Sequence, residues 1–133
     1  MLYLDASALV KRYVREEGTK ELMRAMEENE VWATSRIGYV ETARVIGRKG
    51  ADAALESLQD DWDAFDVFEV DALIADEAVR LALGTGLRTL DAIHLATAIA
   101  LPGRNLKFAT WDARLHRVAE DQGLTLLPDS LPS

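Results

Sequence analysis

No cysteine occurs in the 133 residues, which excludes disulfides and thiolate metal sites. Long apolar runs are missing too. None is long enough to span a membrane, and the few residues before Asp5 are too short for a signal peptide, so the expected location is the cytoplasm. Positive charge is in deficit, with 15 Lys+Arg against 23 Asp+Glu and a net charge of −8. Taken alone, that argues against a nucleic-acid binder, which usually carries a basic footprint. The objection weakens where several acids are metal ligands, because bound divalent ions reverse the local field. No phosphate-cradling glycine motif is present, since Gly84-Thr85-Gly86 lacks the downstream glycine and the Walker lysine. There is no fixed Ser-His-Asp motif, internal repeat, low-complexity tract or linker. What remains, at 49% hydrophobic and 29% charged residues, suits a single globular domain over residues 1–133, with 128–133 as a C-terminal tail.

The stretch that organises the chain is Met1-Leu2-Tyr3-Leu4-Asp5-Ala6-Ser7. The run Leu2 to Leu4 reads as a buried strand, Asp5 as the residue at its end, and Ser7 as the N-cap of a helix over 8–17 that Gly18 stops. A second helix is expected over Thr19 to Asn29 and a short strand at Val31 to Thr34. A third helix follows, capped by Ser35 and reaching about Gly47. The spacing of Leu55, Leu58, Trp62 and Phe65 predicts a helix from Asp52 to about Phe65, with Asp60, Asp61 and Asp63 on a solvated face. Val67 to Val70 reads as a strand, and Asp71 as the cap of a helix through about Leu83. Leu87 to Ala98 reads as a helix capped by Thr89 and closed by Leu101-Pro102-Gly103. A strand at Leu106 to Thr110, a helix behind Asp112 and a last strand at Leu124 to Leu127 complete the chain.

Four acids stand out from this pattern. Asp5 falls at a strand's carboxyl end, where ligands gather in open α/β sheets. Glu41 lies in line with Ile37, Gly38 and Val45, where a surface glutamate would normally sit on the polar stripe. Asp91 is flanked by Leu87 and Leu95, and a buried carboxylate is expensive unless it is paired or holds a metal; as a first-turn acid it also gains from the helix dipole. Asp112 follows a strand as Asp5 does, and reads equally as a simple helix cap. His94, on the face of Asp91, reads as a satisfied core group or a neighbour of the site rather than a ligand. The repeated βα order implies a parallel sheet covered on both faces, an α/β fold. Right-handed crossovers then put all four carboxylates near one edge. There they repel one another unless a counter-ion intervenes, and one or two Mg²⁺ or Mn²⁺ ions, which suit phosphodiester hydrolysis, resolve the conflict.

Leu4-Asp5-Ala6-Ser7-Ala8-Leu9-Val10-Lys11, Glu41, Leu90-Asp91-Ala92-Ile93-His94-Leu95-Ala96 and Thr110-Trp111-Asp112-Ala113-Arg114-Leu115 together resemble a PIN domain. More narrowly, they resemble the VapC ribonuclease toxins of prokaryotic toxin–antitoxin pairs. The resemblance covers Leu2 to about Leu127. It implies a three-layer α/β/α sandwich with a central parallel sheet of about five strands. It also implies an endoribonuclease dependent on Mg²⁺ or Mn²⁺ that leaves a 5′-phosphate and a 3′-hydroxyl. By resemblance, Asp5, Glu41, Asp91 and Asp112 hold the metal and its water, and Ser7 and Thr110 are hydroxyl partners of ligand or water. Such toxins commonly form homodimers and are silenced by an antitoxin packed over the active-site groove. Arg12, Arg48, Lys49, Arg88 and Arg114 are the candidate contacts for RNA phosphates or the antitoxin, and would set affinity rather than sequence choice.

Two rivals stay open. A phosphotransfer or phosphatase protein also puts an aspartate after its first strand, but the haloacid-dehalogenase type wants an acid where Ser7 stands. The receiver type wants adjacent acids and a late lysine that are absent. A PIN-like scaffold that binds RNA or protein without cutting is the other.

Overall fold

The computed structural model describes residues 1–101 and 105–132. The Pro102-Gly103 stop expected after Ala98 lies outside the described residues. At the centre is β1 (Leu2–Leu4), with Leu2, Tyr3 and Leu4 all fully buried. Its neighbours are β2 (Trp32–Ser35) on one side and β4 (Lys107–Ala109) on the other; β3 (Phe65–Phe68) and β5 (Thr125–Leu127) form the edges. All pairings are parallel, in the order β3-β2-β1-β4-β5. A central parallel strand is covered on both faces, which is why β1 is apolar throughout.

Alternation along β1 divides the core in two. Leu2 and Leu4 face a cluster with Ala8, Leu9, Leu22 and Met26, from α1 (Ala6–Tyr13) and α2 (Thr19–Glu28). Tyr3 faces the other cluster, built from α5 (Ala72–Thr85), α6 (Thr89–Ala100) and α7 (Ala113–Asp121) with Leu81, Leu95, Phe108 and Leu115. α3 (Arg36–Arg48) packs on α1 and on α4 (Asp52–Asp61). The result is the expected three-layer sandwich around a five-stranded parallel sheet. Among the described residues, no helix is long and apolar enough to cross a membrane.

Several expected boundaries move. Asp5, not Ser7, caps α1, because its carboxylate accepts the Ala8 N–H at 2.9 Å, and Ser7 lies inside the helix. α1 also stops at Tyr13, not Glu17. Lys11 Nζ reaches over the end to the Glu17 carbonyl at 2.7 Å and the Glu16 carboxylate at 3.0 Å, and Thr19 Oγ1 donates to the Lys11 carbonyl. The helix from Asp52 ends at Asp61 with a 3₁₀ turn over Trp62–Ala64, and Phe65 opens β3 in register with Trp32. Trp62 and Phe65 pack at 5.3 Å between ring centroids, and Trp32 and Phe65 at 5.6 Å, so one aromatic cluster spans the helix–strand junction and mimics helical spacing. Asp61 is not simply solvated: it accepts from Arg12 Nε at 3.0 Å and from the Tyr13 hydroxyl at 2.9 Å. Thr89 is the first residue of α6 rather than its cap; Arg88 takes the cap position without a side-chain bond.

Candidate active site

β1 and β4 end level with each other, Leu4 opposite Ala109, and the Asp5 N–H continues the ladder to the Ala109 carbonyl at 3.2 Å. Asp5 and Thr110 therefore leave the sheet side by side. Thr110 Oγ1 donates to Asp5 Oδ2 at 2.6 Å, and Ser7 Oγ donates to Oδ1 at 2.7 Å, beside the Ala8 N–H. The two hydroxyls are themselves held in place. The Trp111 N–H donates to Ser7 Oγ at 2.9 Å and the Asp112 N–H to Thr110 Oγ1 at 3.1 Å. Asp5 is thus locked at 3% exposure. A carboxylate offers about four acceptor positions. With Ser7, Ala8 and Thr110 occupying three of them, Asp5 keeps room for one further contact. Burial pushes its carboxyl above the usual range, opposed by His94 and by the donors Ser7, Thr110 and Ala8.

Asp112 caps α7 by accepting the Leu115 N–H at 2.9 Å, which is the simpler of its two expected roles. Asp91 sits in the first turn of α6 and is half-buried. Its carboxyl is pushed up to about 6, first by burial, then by the charges of Asp112 and Asp5, with His94 opposing and Glu41 adding a further push. Glu41 joins the group from α3 through His94, whose Nε2 lies 2.7 Å from Glu41 Oε1. A carboxylate can only accept, so that ring nitrogen carries the proton. His94 Nδ1 lies 2.8 Å from the Tyr3 hydroxyl in the core. His94 is the core group adjoining the site that its position on α6 suggested. Tyr3, by contrast, reads in sequence as nothing more than strand core.

The donor set is all oxygen and its charges repel, which suits a hard divalent cation. Among the described residues, no three His, Asp or Glu side chains already stand close enough together to hold an ion. By its chemistry, an acidic all-oxygen set fits Mg²⁺, which keeps several waters and is bound through one or two carboxylates. Asp5, Asp91, Asp112 and Glu41 would hold it, partly through water.

The five basic candidates separate. Arg88 is exposed at the start of α6, near Asp91. Arg114 is exposed two residues after Asp112, its guanidinium lying against Gly86, where a Cβ would meet Nη2 at 2.8 Å. Both lie within three residues of an acid of the site in sequence. Arg12 is instead committed to Asp61 and lies over the Trp32 ring at 5.1 Å. Arg48 and Lys49 are exposed at the far end of α3, about 18 Å along the helix from its start at the acidic edge.

Comparison with known proteins bears on what this edge does. The sequence profile of the PIN domain matches residues 2–121. The chain belongs to the PIN-domain family. Within it, the chain groups with the VapC ribonucleases: it is 34% identical to Ribonuclease VapC46 of Mycobacterium tuberculosis over 129 residues, which is 97% of this chain and 98% of that protein. In fold, this PIN domain is similar to the crystal structure of M. tuberculosis VapC20, a sarcin-ricin loop cleaving toxin. The TM-score is 0.76 at 14% identity, over 89% of this chain and 95% of that one. It is also similar to a chain of a toxin–antitoxin complex from Klebsiella pneumoniae, with a TM-score of 0.69 at 22% identity, over 85% and 88% of the two chains.

Proposed function

We propose that this PIN domain is a Mg²⁺- or Mn²⁺-dependent endoribonuclease and the toxin of a toxin–antitoxin pair. The observation that carries the reading is the buried Asp5 carboxylate, held by Ser7, Ala8 and Thr110 where β1 and β4 end together, and beside it Asp91, whose carboxyl is raised first by burial and then by the charges of Asp112 and Asp5. A bound divalent ion supplies Lewis acidity there, activating water and neutralising charge that develops on a phosphodiester. The chain's own residues do the rest. Asp5, fixed by its donors, keeps one acceptor position for the ion. Asp91 binds either a proton or the cation. Glu41 and Asp112 close the acidic ring, while Ser7 and Thr110 hold Asp5 in a single orientation. The exposed Arg88, three residues before Asp91, and Arg114, two residues after Asp112, offer the positive charge that a polyanion needs on an acidic protein. In-line attack at phosphorus gives a 5′-phosphate and a 3′-hydroxyl.

The partners follow from kinship. Other VapC proteins are ribonucleases by name, and a structural neighbour is part of a toxin–antitoxin complex. RNA is accordingly the substrate, an antitoxin segment covers the acidic groove, and a second copy of the chain completes a homodimer. The chain acts in the cytoplasm, where its substrate is.

The test is incubation of purified protein with labelled RNA and Mn²⁺, with the product ends mapped. Wild type should cut and leave 5′-phosphates, whereas Asp91→Asn should not cut. The absence of three ready-placed ligands among the described residues favours one rival, the non-catalytic scaffold. RNA that is bound but never cut, in Mg²⁺ or Mn²⁺, would establish that rival instead.

A further inference from the structure

We propose that His94 is a positioning residue that fixes the Glu41 carboxylate, with the Tyr3 hydroxyl as its anchor. The proposal rests on the reading of Glu41 as a group that faces the divalent ion. Glu41 stands on a helix surface with its side chain 23% exposed, and a glutamate left to itself there samples many rotamers. It is held by an imidazole that is itself immobile. His94 is 1% exposed, its Nε2 donates to Glu41 Oε1 at 2.7 Å, and its Nδ1 is hydrogen-bonded to the Tyr3 hydroxyl at 2.8 Å. Tyr3 in turn is fully buried, with its ring stacked on Phe108 at 5.3 Å. The ring of His94 meets that of Tyr3 edge-on at 76°.

α3 must also come close enough for this contact, and Gly38, one turn before Glu41, permits it. A Cβ at position 38 would stand 2.7 Å from Thr34 Oγ1 and 3.3 Å from His94 Cε1. Thr34 Oγ1 is not free to yield, because it donates to the Leu4 carbonyl at 2.7 Å. One strand therefore sets two acids. β1 carries Asp5 at its end, and through Tyr3 and His94 it also fixes where Glu41 stands.

Two substitutions separate these roles. His94→Asn places an amide near the Nδ1 position and keeps the reach to Tyr3, while His94→Gln places an amide N–H near the Nε2 position and keeps the reach to Glu41. The full chain is titrated with Mn²⁺ by calorimetry, with kcat and KM for RNA cleavage and the metal-free Tm measured alongside. Loss of a hydrogen-bonding partner behind a metal ligand typically weakens metal binding about tenfold or more. His94→Asn should show that loss and a lower kcat with unchanged KM, and His94→Gln should recover most of both. The metal-free Tm values of the two variants should agree. Should both fold poorly, Tyr3→Phe, which keeps the stacked ring and removes only the hydroxyl, should still weaken Mn²⁺ binding. Wild-type Mn²⁺ affinity in His94→Asn, or equal losses in Asn and Gln, overturns the proposal. A wild-type chain that binds no Mn²⁺ overturns it together with the metal reading. A chain that binds Mn²⁺ but cuts no RNA overturns only the nuclease reading, and the calorimetric comparison still decides the role of His94.

Discussion

Asp91 carries the electrostatic signature of the site. In the unfolded chain an aspartate titrates near its ordinary value, about 3.9, whereas in the fold this one is pushed up to about 6 by burial and by Asp112, Asp5 and Glu41. The folded, metal-free protein thus holds the proton more tightly than the unfolded chain does. The corresponding stability is fully present below about pH 4 and is lost as pH rises through about 6. Half-exposed charges are screened, so the loss is of the order of 1 kcal/mol, which in a domain of this size is a few degrees in Tm. In chelator at pH 7.5, Asp91→Asn should therefore melt a few degrees above wild type by scanning calorimetry, with the gain vanishing near pH 4. An Asn variant that melts lower at pH 7.5 would show that the acids do not repel. The same proton competes with the cation, so wild-type Mn²⁺ affinity should fall as pH drops through about 6.

At the scale of the element, α1 and the site are built from one residue. Asp5 both caps α1, through the Ala8 N–H, and receives the Ser7 and Thr110 hydroxyls. Asn is as good a helix cap as Asp, and its amide can donate to Thr110 Oγ1 where the carboxylate accepted. Asp5→Asn should thus keep the fold. Asp5→Ala removes the cap and leaves two hydroxyls without their acceptor, at a cost of about 2–4 kcal/mol. Denaturant unfolding of the two variants checks this, and equal stability would remove Asp5 from the cap. The same residue marks where sequence was legible and where it was not. β1 was readable because three buried apolar residues precede the acid, and α3, α5 and α7 because Ser35, Asp71 and Asp112 are cap residues ahead of apolar periodicity. Asp5 and Ser7 are both cap types two positions apart, and only the hydrogen bond to Ala8 decides between them. The start of β3 was hidden because Trp62 and Phe65 keep the spacing of the helix that precedes them. The Tyr3–His94 bond joins residues 91 positions apart, which no local pattern encodes. The βα order indicates which edge the acids share, but not that no three of them are already at ligating distance among the described residues.

For the whole molecule, net charge and exposed apolar surface matter most. With a net charge of −8, RNA is repelled from most of the surface. Its binding should depend on divalent ions and on Arg88 and Arg114. The outer face of α5 exposes Leu73 at 78%, Val79 at 57% and Leu83 at 84%, an apolar strip that water-facing helices avoid. Were the proposed homodimer to use this strip, the wild-type chain would run as a dimer in sedimentation equilibrium and Leu73→Glu with Leu83→Glu as a monomer of unchanged Tm. A monomeric wild type would remove the dimer, and a dimeric double variant would remove this strip as its contact.

Whether the four acids form one cation site is tested most directly by a thermal melt of wild type and Asp5→Asn, each with and without Mn²⁺. An ion at about a hundred times its Kd stabilises the fold it binds by about 2.7 kcal/mol. Mn²⁺ should therefore raise the Tm of wild type by several degrees and leave that of Asp5→Asn nearly unmoved. Equal shifts in both proteins, or none in wild type, would mean that the four acids form no such site.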